Sequence, residues 1–128
     1  MSRLCSTEMA EQVLAALAHV RQQSWRHSPS HAWLEVSQPE DVWRACLEYL
    51  CGDNTDEAAI ERIGLPNLLE IQQTARMYLL RHPKPDLPQC RLEYEVTVDG
   101  QRSDLTFVFH VYQRAGCVQV LLYDVLVQ

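Results

Sequence analysis

The chain is short of the features on which much small-protein chemistry is built. Its 128 residues include only four glycines, too few and too scattered for a glycine-rich phosphate loop. No serine stands in a G-x-S-x-G elbow. No apolar run approaches the roughly 20 residues that cross a bilayer. The opening MSRLCSTEMAEQ runs into charge instead of the apolar stretch of a secretory leader. Positive charge is scarce as well: 11 Lys and Arg stand against 17 Asp and Glu, a formal −6, with an isoelectric point near 5.2. A protein that tracks nucleic-acid phosphates needs the opposite balance. The five cysteines (Cys5, Cys46, Cys51, Cys90 and Cys117) are odd in number and lack CxxC spacing. Free thiols in a reducing cytoplasm fit that pattern better than a disulfide framework or a zinc site. Neither nucleic acid, membrane, metal nor cofactor is expected.

What is present suits one folded domain, with 47% hydrophobic and 22% charged residues. Residues 7–26 place Met9, Val13, Leu17 and Val20 at helical spacing, broadened by Leu14 and Ala16, with Ser6 or Thr7 as cap. Pro29 breaks the pattern, and Ala32–Val36 reads as a short edge strand. A second helix follows in SQPEDVWRACLEYLCG. Ser37 and Glu40 form a capping box, Pro39 suits the first turn, and Gly52 suits the left-handed stop. Its buried stripe is Val42, Trp43, Cys46, Leu47 and Leu50. DNTDEAAIERIG reads as a third helix opened by Asn54 or Thr55. PNLLEIQQTARMYLL reads as a fourth, running from Pro66 and stopping before Pro83. The proline-rich connector, residues 82–90, separates this helical half (1–82) from a strand half (91–128).

From Arg91 the period changes to two, and three strands follow as a β-meander. Helices followed by strands indicate an α+β domain. DGQRSD, at the first hairpin, reads as turn chemistry. A two-residue turn at Asp99-Gly100 would set Glu95 directly opposite Asp104, which is unfavourable. A four-residue loop, Asp99 to Arg102, instead pairs Leu92 with Phe109, Tyr94 with Phe107 and Val96 with Leu105. The RAG turn then sets Phe109 against Leu121 and Phe107 against Tyr123. That register leaves Val108, His110, Tyr112, Val118, Val120, Leu122 and Leu126 on the second face. A face so apolar must be covered, by the N-terminal helix, by another subunit or by a partner protein.

Few residues invite a catalytic reading. His27 and His31 flank Pro29, which forbids the helix that would put both rings on one face. His110 and Asp124 share a face but lie roughly 13 Å apart along the strands. Cys117 beside its turn has no neighbouring histidine. Trp25, Trp33 and Trp43 read as core or rim aromatics. Asp53, Asp56, Glu57 and Glu61 form a negative cluster that can steer a basic partner. The candidate partner-binding residues are therefore these four acids together with Val108, His110, Tyr112, Val120 and Leu122.

The stretches VDGQRSDLTFVF (98–109) and VQVLLYDVLVQ (118–128) resemble the strands of a group of small bacterial proteins. In that group a helical segment precedes strands reading roughly V.G..SDLT and L.L.D..V. Such proteins look like immunity proteins of bacterial toxin systems: acidic cytoplasmic partners that block a cognate basic toxin domain by binding it. The resemblance implies a non-enzymatic binding protein and transfers no contact residue. Helices followed by a curved sheet also resemble the cone-shaped nuclear-transport-factor-like fold, whose members bind small ligands or act as enzymes. A homodimeric adaptor domain is the third expectation.

Overall fold

The computed structural model describes residues 5–23, 33–36, 39–52, 56–80 and 87–128. Two helices, α1 (Thr7–Gln22) and α2 (Pro39–Cys51), are followed by a 3-10 helix (Glu57–Arg62) and a short α3 (Leu68–Thr74). Strands β1 (Arg76–Leu79), β2 (Cys90–Val98), β3 (Gln101–Arg114) and β4 (Cys117–Val127) then form one antiparallel sheet in the order β1-β2-β3-β4. The architecture is α+β, with four strands where the sequence reading has three. No described helix is long and apolar enough to cross a membrane.

Helix α1 starts, and both α1 and α2 stop, where local chemistry dictates. Ser6 caps α1 by accepting the Met9 amide at 3.1 Å, and left-handed Gln23 closes it. Gly52, at φ +64°, ends α2; its expected cap Ser37 lies outside the described residues. In place of a third α-helix the chain makes a 3-10 turn, capped by Asp56. Asn54 and Thr55, expected there, are outside the described residues, as are His27, Pro29, His31 and most of the proline connector. The turn stays short because its exit is drawn into the sheet. Ile63 bridges Val98, and the Gly64 amide donates to the Thr97 carbonyl at 2.9 Å. A Cβ on Gly64 would lie 2.3 Å from Thr97 Oγ1, so any larger residue would force the Thr97 side chain to turn aside.

The expected fourth helix divides at Ala75. Asn67 caps α3, and extended Ala75 ends it after seven residues. Arg76–Leu79 then becomes β1, pairing Met77 with Leu92 and Tyr78 with Arg91. Local pattern cannot separate a short helix from a strand in RMYLL. The unpaired edge of β2 decides the matter, because pairing satisfies a row of backbone groups there.

The helices pack on one face of the sheet. Val13, Leu17 and Cys46 join Leu92, Tyr94, Val96, Phe107 and Phe109 in one buried cluster. Burying each large side chain of this kind contributes roughly 1.5–3 kcal/mol. The β2–β3 register in the body of the hairpin is the expected one, Leu92 with Phe109 and Tyr94 with Phe107. At its tip the four-residue loop is replaced by a two-residue turn, Asp99-Gly100, both at positive φ, flanked by Val98 paired with Gln101. A bulge between Glu95 and Thr97 absorbs the difference. Glu95 consequently faces Thr106 and takes Arg102 at 3.4 Å, never opposing Asp104.

The β3–β4 hairpin corrects a second expectation. Its turn is Ala115-Gly116, so Arg114 pairs with Cys117 and Phe109 with Leu122. Relative to the sequence reading, β4 slips by one residue, which exchanges its faces. Val118, Val120 and Leu122 therefore face the helices, and a bulge at Tyr123 brings Val125 opposite Phe107.

Candidate binding surfaces

Of the residues singled out on the sheet, Val120 and Leu122 are core, 3% and 0% exposed. They belong to the helix side and are corrected out of the second face. Val108 and Tyr112 do lie on that face but are buried. No described helix covers it; a layer of paired charge does. Arg76 reaches Glu93 at 3.4 Å and Glu95 at 3.1 Å, and Arg91 reaches Glu93 at 2.9 Å. Gln128 donates to Glu93 at 3.2 Å. Glu93 is itself buried, held beside Val108 in the ladder, and its guanidinium partners offset the cost of that burial.

His110 is the most accessible of the sheet candidates. Its partner is Glu35, whose Oε2 lies 2.8 Å from Nδ1, and not Asp124. Tyr112 donates its hydroxyl to Glu35 Oε1, Tyr123 stacks on the imidazole at 4.1 Å, and Arg114 lies over the Tyr112 ring. Glu35 stands 75 residues from His110 in sequence. It arrives because its own backbone is fixed to β4: the Glu35 amide donates to the Leu122 carbonyl, and the Leu122 amide to Trp33. The cluster ties residues 33–36 down onto the sheet. Asp124 instead accepts the Val125 amide.

The acidic cluster is built differently. Asp53 lies outside the described residues. Asp56 caps the 3-10 helix by accepting the Ala58 amide at 3.1 Å, and Glu57 and Glu61 are exposed along it. The far end of this helix is clamped by Arg62. Its guanidinium binds both carboxylate oxygens of Asp99 (Nε to Oδ1 at 3.1 Å, Nη2 to Oδ2 at 2.7 Å) and the Leu50 carbonyl at 2.9 Å. That fork holds the Asp99 carboxyl below its ordinary value. The polar knot at the first hairpin is thus a structural clamp joining the end of α2, the 3-10 helix and the β2–β3 turn. Beside it an open depression is lined by Leu50, Cys51, Asp56, Ala58, Ala59 and Arg62.

The described thiols are poor nucleophiles where they are buried. Burial pushes the Cys46 thiol up to about 12. Burial, with the Cys90 thiol nearby as a smaller cause, pushes Cys5 up to about 11. Burial and the Glu70 charge also raise Tyr94, the inward-facing titratable group on which a small-ligand cone would depend. Among the described residues no His, Cys, Asp and Glu gather into a metal-holding group.

The sequence reading missed Glu35, Arg62 and the exposed edge of β1, where Tyr78 and Leu79 stand open to solvent. Only Leu79 and Tyr78 carried a local signal, an alternation with Met77 and Arg76 too short to outweigh the helical pattern before it. No protein-family model matches the chain, and no curated protein or solved structure matches it either.

Proposed function

We propose that the chain is a non-enzymatic binding protein that neutralises a basic bacterial toxin domain by seating on it and occluding its active cleft. The observation that carries this reading is the acidic ridge of Asp56, Glu57 and Glu61, exposed on a short helix held at both ends. A surface already rigid loses little conformational freedom on binding. Its charge raises the rate of encounter with a basic cleft. The depression beside the ridge offers an apolar anchor a place to enter. The formal charge of −6 supports the same reading, as does the resemblance at residues 98–109 and 118–128. The toxin stays chemically intact, so inhibition is competitive with its substrate and relieved by salt.

The test is capture on the immobilised chain from cells expressing the genes that flank its own, followed by binding kinetics with the captured polypeptide. The expected result is a one-to-one complex with a basic polypeptide. Its association rate falls steeply with ionic strength, and by about tenfold or more in the double variant Glu57→Lys/Glu61→Lys. An acidic partner, or kinetics indifferent to both salt and charge reversal, overturns the reading.

A further inference from the structure

We infer that β1 is a self-association edge: two copies pair through it, antiparallel about a two-fold axis at Tyr78, joining two four-stranded sheets into one. The Leu80 amide donates to the Gln89 carbonyl at 3.0 Å. The Gln89 amide itself turns to the Val111 carbonyl at 2.8 Å, so this single bond sets the phase of the ladder, and antiparallel alternation makes Tyr78–Arg91 and Arg76–Glu93 the hydrogen-bonded pairs. The amides and carbonyls of Met77 and Leu79 consequently point away from β2, and no described residue pairs with them. In the register that sets Met77 of one copy against Leu79 of the other, all of these groups meet partners. Tyr78 then faces its own copy across the axis. A shift that sets Met77 against its own copy places Leu79 opposite Ala75, whose amide is already given to the Ile71 carbonyl.

The side chains agree with this occupant. Leu69, Tyr78, Leu79, Leu80 and Leu87 are exposed large apolar residues, all in β1 or in the segments leading into and out of it. Natural edges are commonly blunted by charge or proline; β1 holds one charged side chain, Arg76. Two copies of a −6 chain repel unless charge is neutralised where they meet. Here Arg76 is already bound by Glu93 and Glu95, and the register sets it opposite Leu80 of the second copy. A basic toxin domain finds its complement on the acidic ridge and not on this neutral edge. The second copy is therefore the occupant, and the interface is isologous.

The experiment is sedimentation of the full chain from about 1 to about 500 micromolar, with three variants. Leu79→Lys places a charge on the edge. Leu79→Pro removes an outward amide while sparing the β1–β2 ladder. Val127→Lys, at a residue 62% exposed on β4, is the control. The expected result is a dimer whose dissociation constant rises at least about tenfold in both Leu79 variants and is unchanged in the control. A Tyr78→Cys chain on a Cys117→Ser background gives a positive readout that does not depend on weakened binding. Non-hydrogen-bonded pairs hold Cα atoms about 4.5 Å apart, within disulfide reach. Two thiols and oxidised glutathione then yield the linked dimer and two reduced glutathiones. A wild-type chain that stays monomeric throughout, even if it captures an extended peptide of another protein, overturns the inference. So does a dimer indifferent to both Leu79 variants, or a Tyr78→Cys chain that fails to cross-link.

Discussion

The two edges of the sheet are finished by different means. On β4 the outward groups are taken up in turn. The Gln12 side chain on α1 donates to the Val118 carbonyl at 2.8 Å and accepts the Val120 amide at 2.7 Å, mimicking a strand residue. Trp33 and Glu35 then exchange backbone bonds with Leu122. Glu35 locks that segment by reaching over the sheet to His110 and Tyr112. On β1 nothing among the described residues does the equivalent work. The contrast teaches that edge pairing in this fold is a matter of which element passes by. α1 and the segment before α2 cross β4, whereas α3 runs directly into β1 and cannot also cover it.

The largest expected effect breaks the comparison at matched substitutions. Leu122→Asp puts a carboxylate at a fully buried position on the covered edge, where no described cation is placed to pair with it. The cost is several kcal/mol, about 3–5 by the behaviour of unpaired buried charge, enough to abolish a cooperative transition in a domain of ordinary stability. Leu79→Asp, at a residue 60% exposed on the open edge, should stay within about 0.5 kcal/mol at protein concentrations low enough to keep the chain monomeric. Urea unfolding of the two variants checks the pair. Similar losses at both sites would show that β1 is as buried in solution as β4.

A smaller effect sharpens the same contrast at one hydrogen-bonding side chain. Gln12→Ala leaves the Val118 carbonyl and the Val120 amide without their partner. It should cost about 1–2 kcal/mol, because water reaches this half-buried edge and replaces part of the loss. The Val120 amide should exchange with solvent about tenfold faster or more in the variant. An unchanged Val120 exchange rate would mean that the Gln12 amide is not what closes β4.

The elements legible from sequence are those whose signal is local. α1 carries its cap and stripe, and α2 its stripe and its Gly52 stop, within a few residues of one another, whereas the end of α1 at Gln22, short of the expected residue 26, had no such signal. The paired aromatics Tyr94 and Phe107 fix the body of the first hairpin. The charge argument there was sound in its premise, since Glu95 does avoid Asp104. It failed in its remedy: a bulge solves the conflict as well as a longer loop, and periodicity does not foresee one. The β4 register turned on whether Arg114 belongs to the turn or to the strand, a one-residue choice that exchanges every face. β1 could not be read as a strand, because the edge it pairs with lies across the proline connector. The acidic ridge was visible as composition. Its anchoring was not, since Arg62 and Asp99 meet only once the fold has formed.

That clamp supplies the smallest expected effect and a third boundary to set beside the two edges. Arg62 and Asp99 are both exposed, so their pairing contributes little at neutral pH and less in salt. Its sign is nonetheless readable. The hydrogen bond from Arg62, with its charge adding a smaller share, lowers the folded-state Asp99 pKa below the ordinary 3.8. A depressed carboxylate contributes stability that is fully present above the unfolded value and is lost as pH falls through the folded one. The wild-type melting temperature should therefore carry an acid-side decline that Asp99→Asn lacks, visible as converging melting curves on going from pH 5 to below pH 3. The positive φ at residue 99 is tolerated by asparagine, so the turn itself survives the substitution and the difference reports the loss of the charge together with one of the two acceptor oxygens of the Arg62 fork. Parallel acid profiles for the two proteins would mean that Arg62 holds the 3-10 helix through the Leu50 carbonyl and not through Asp99.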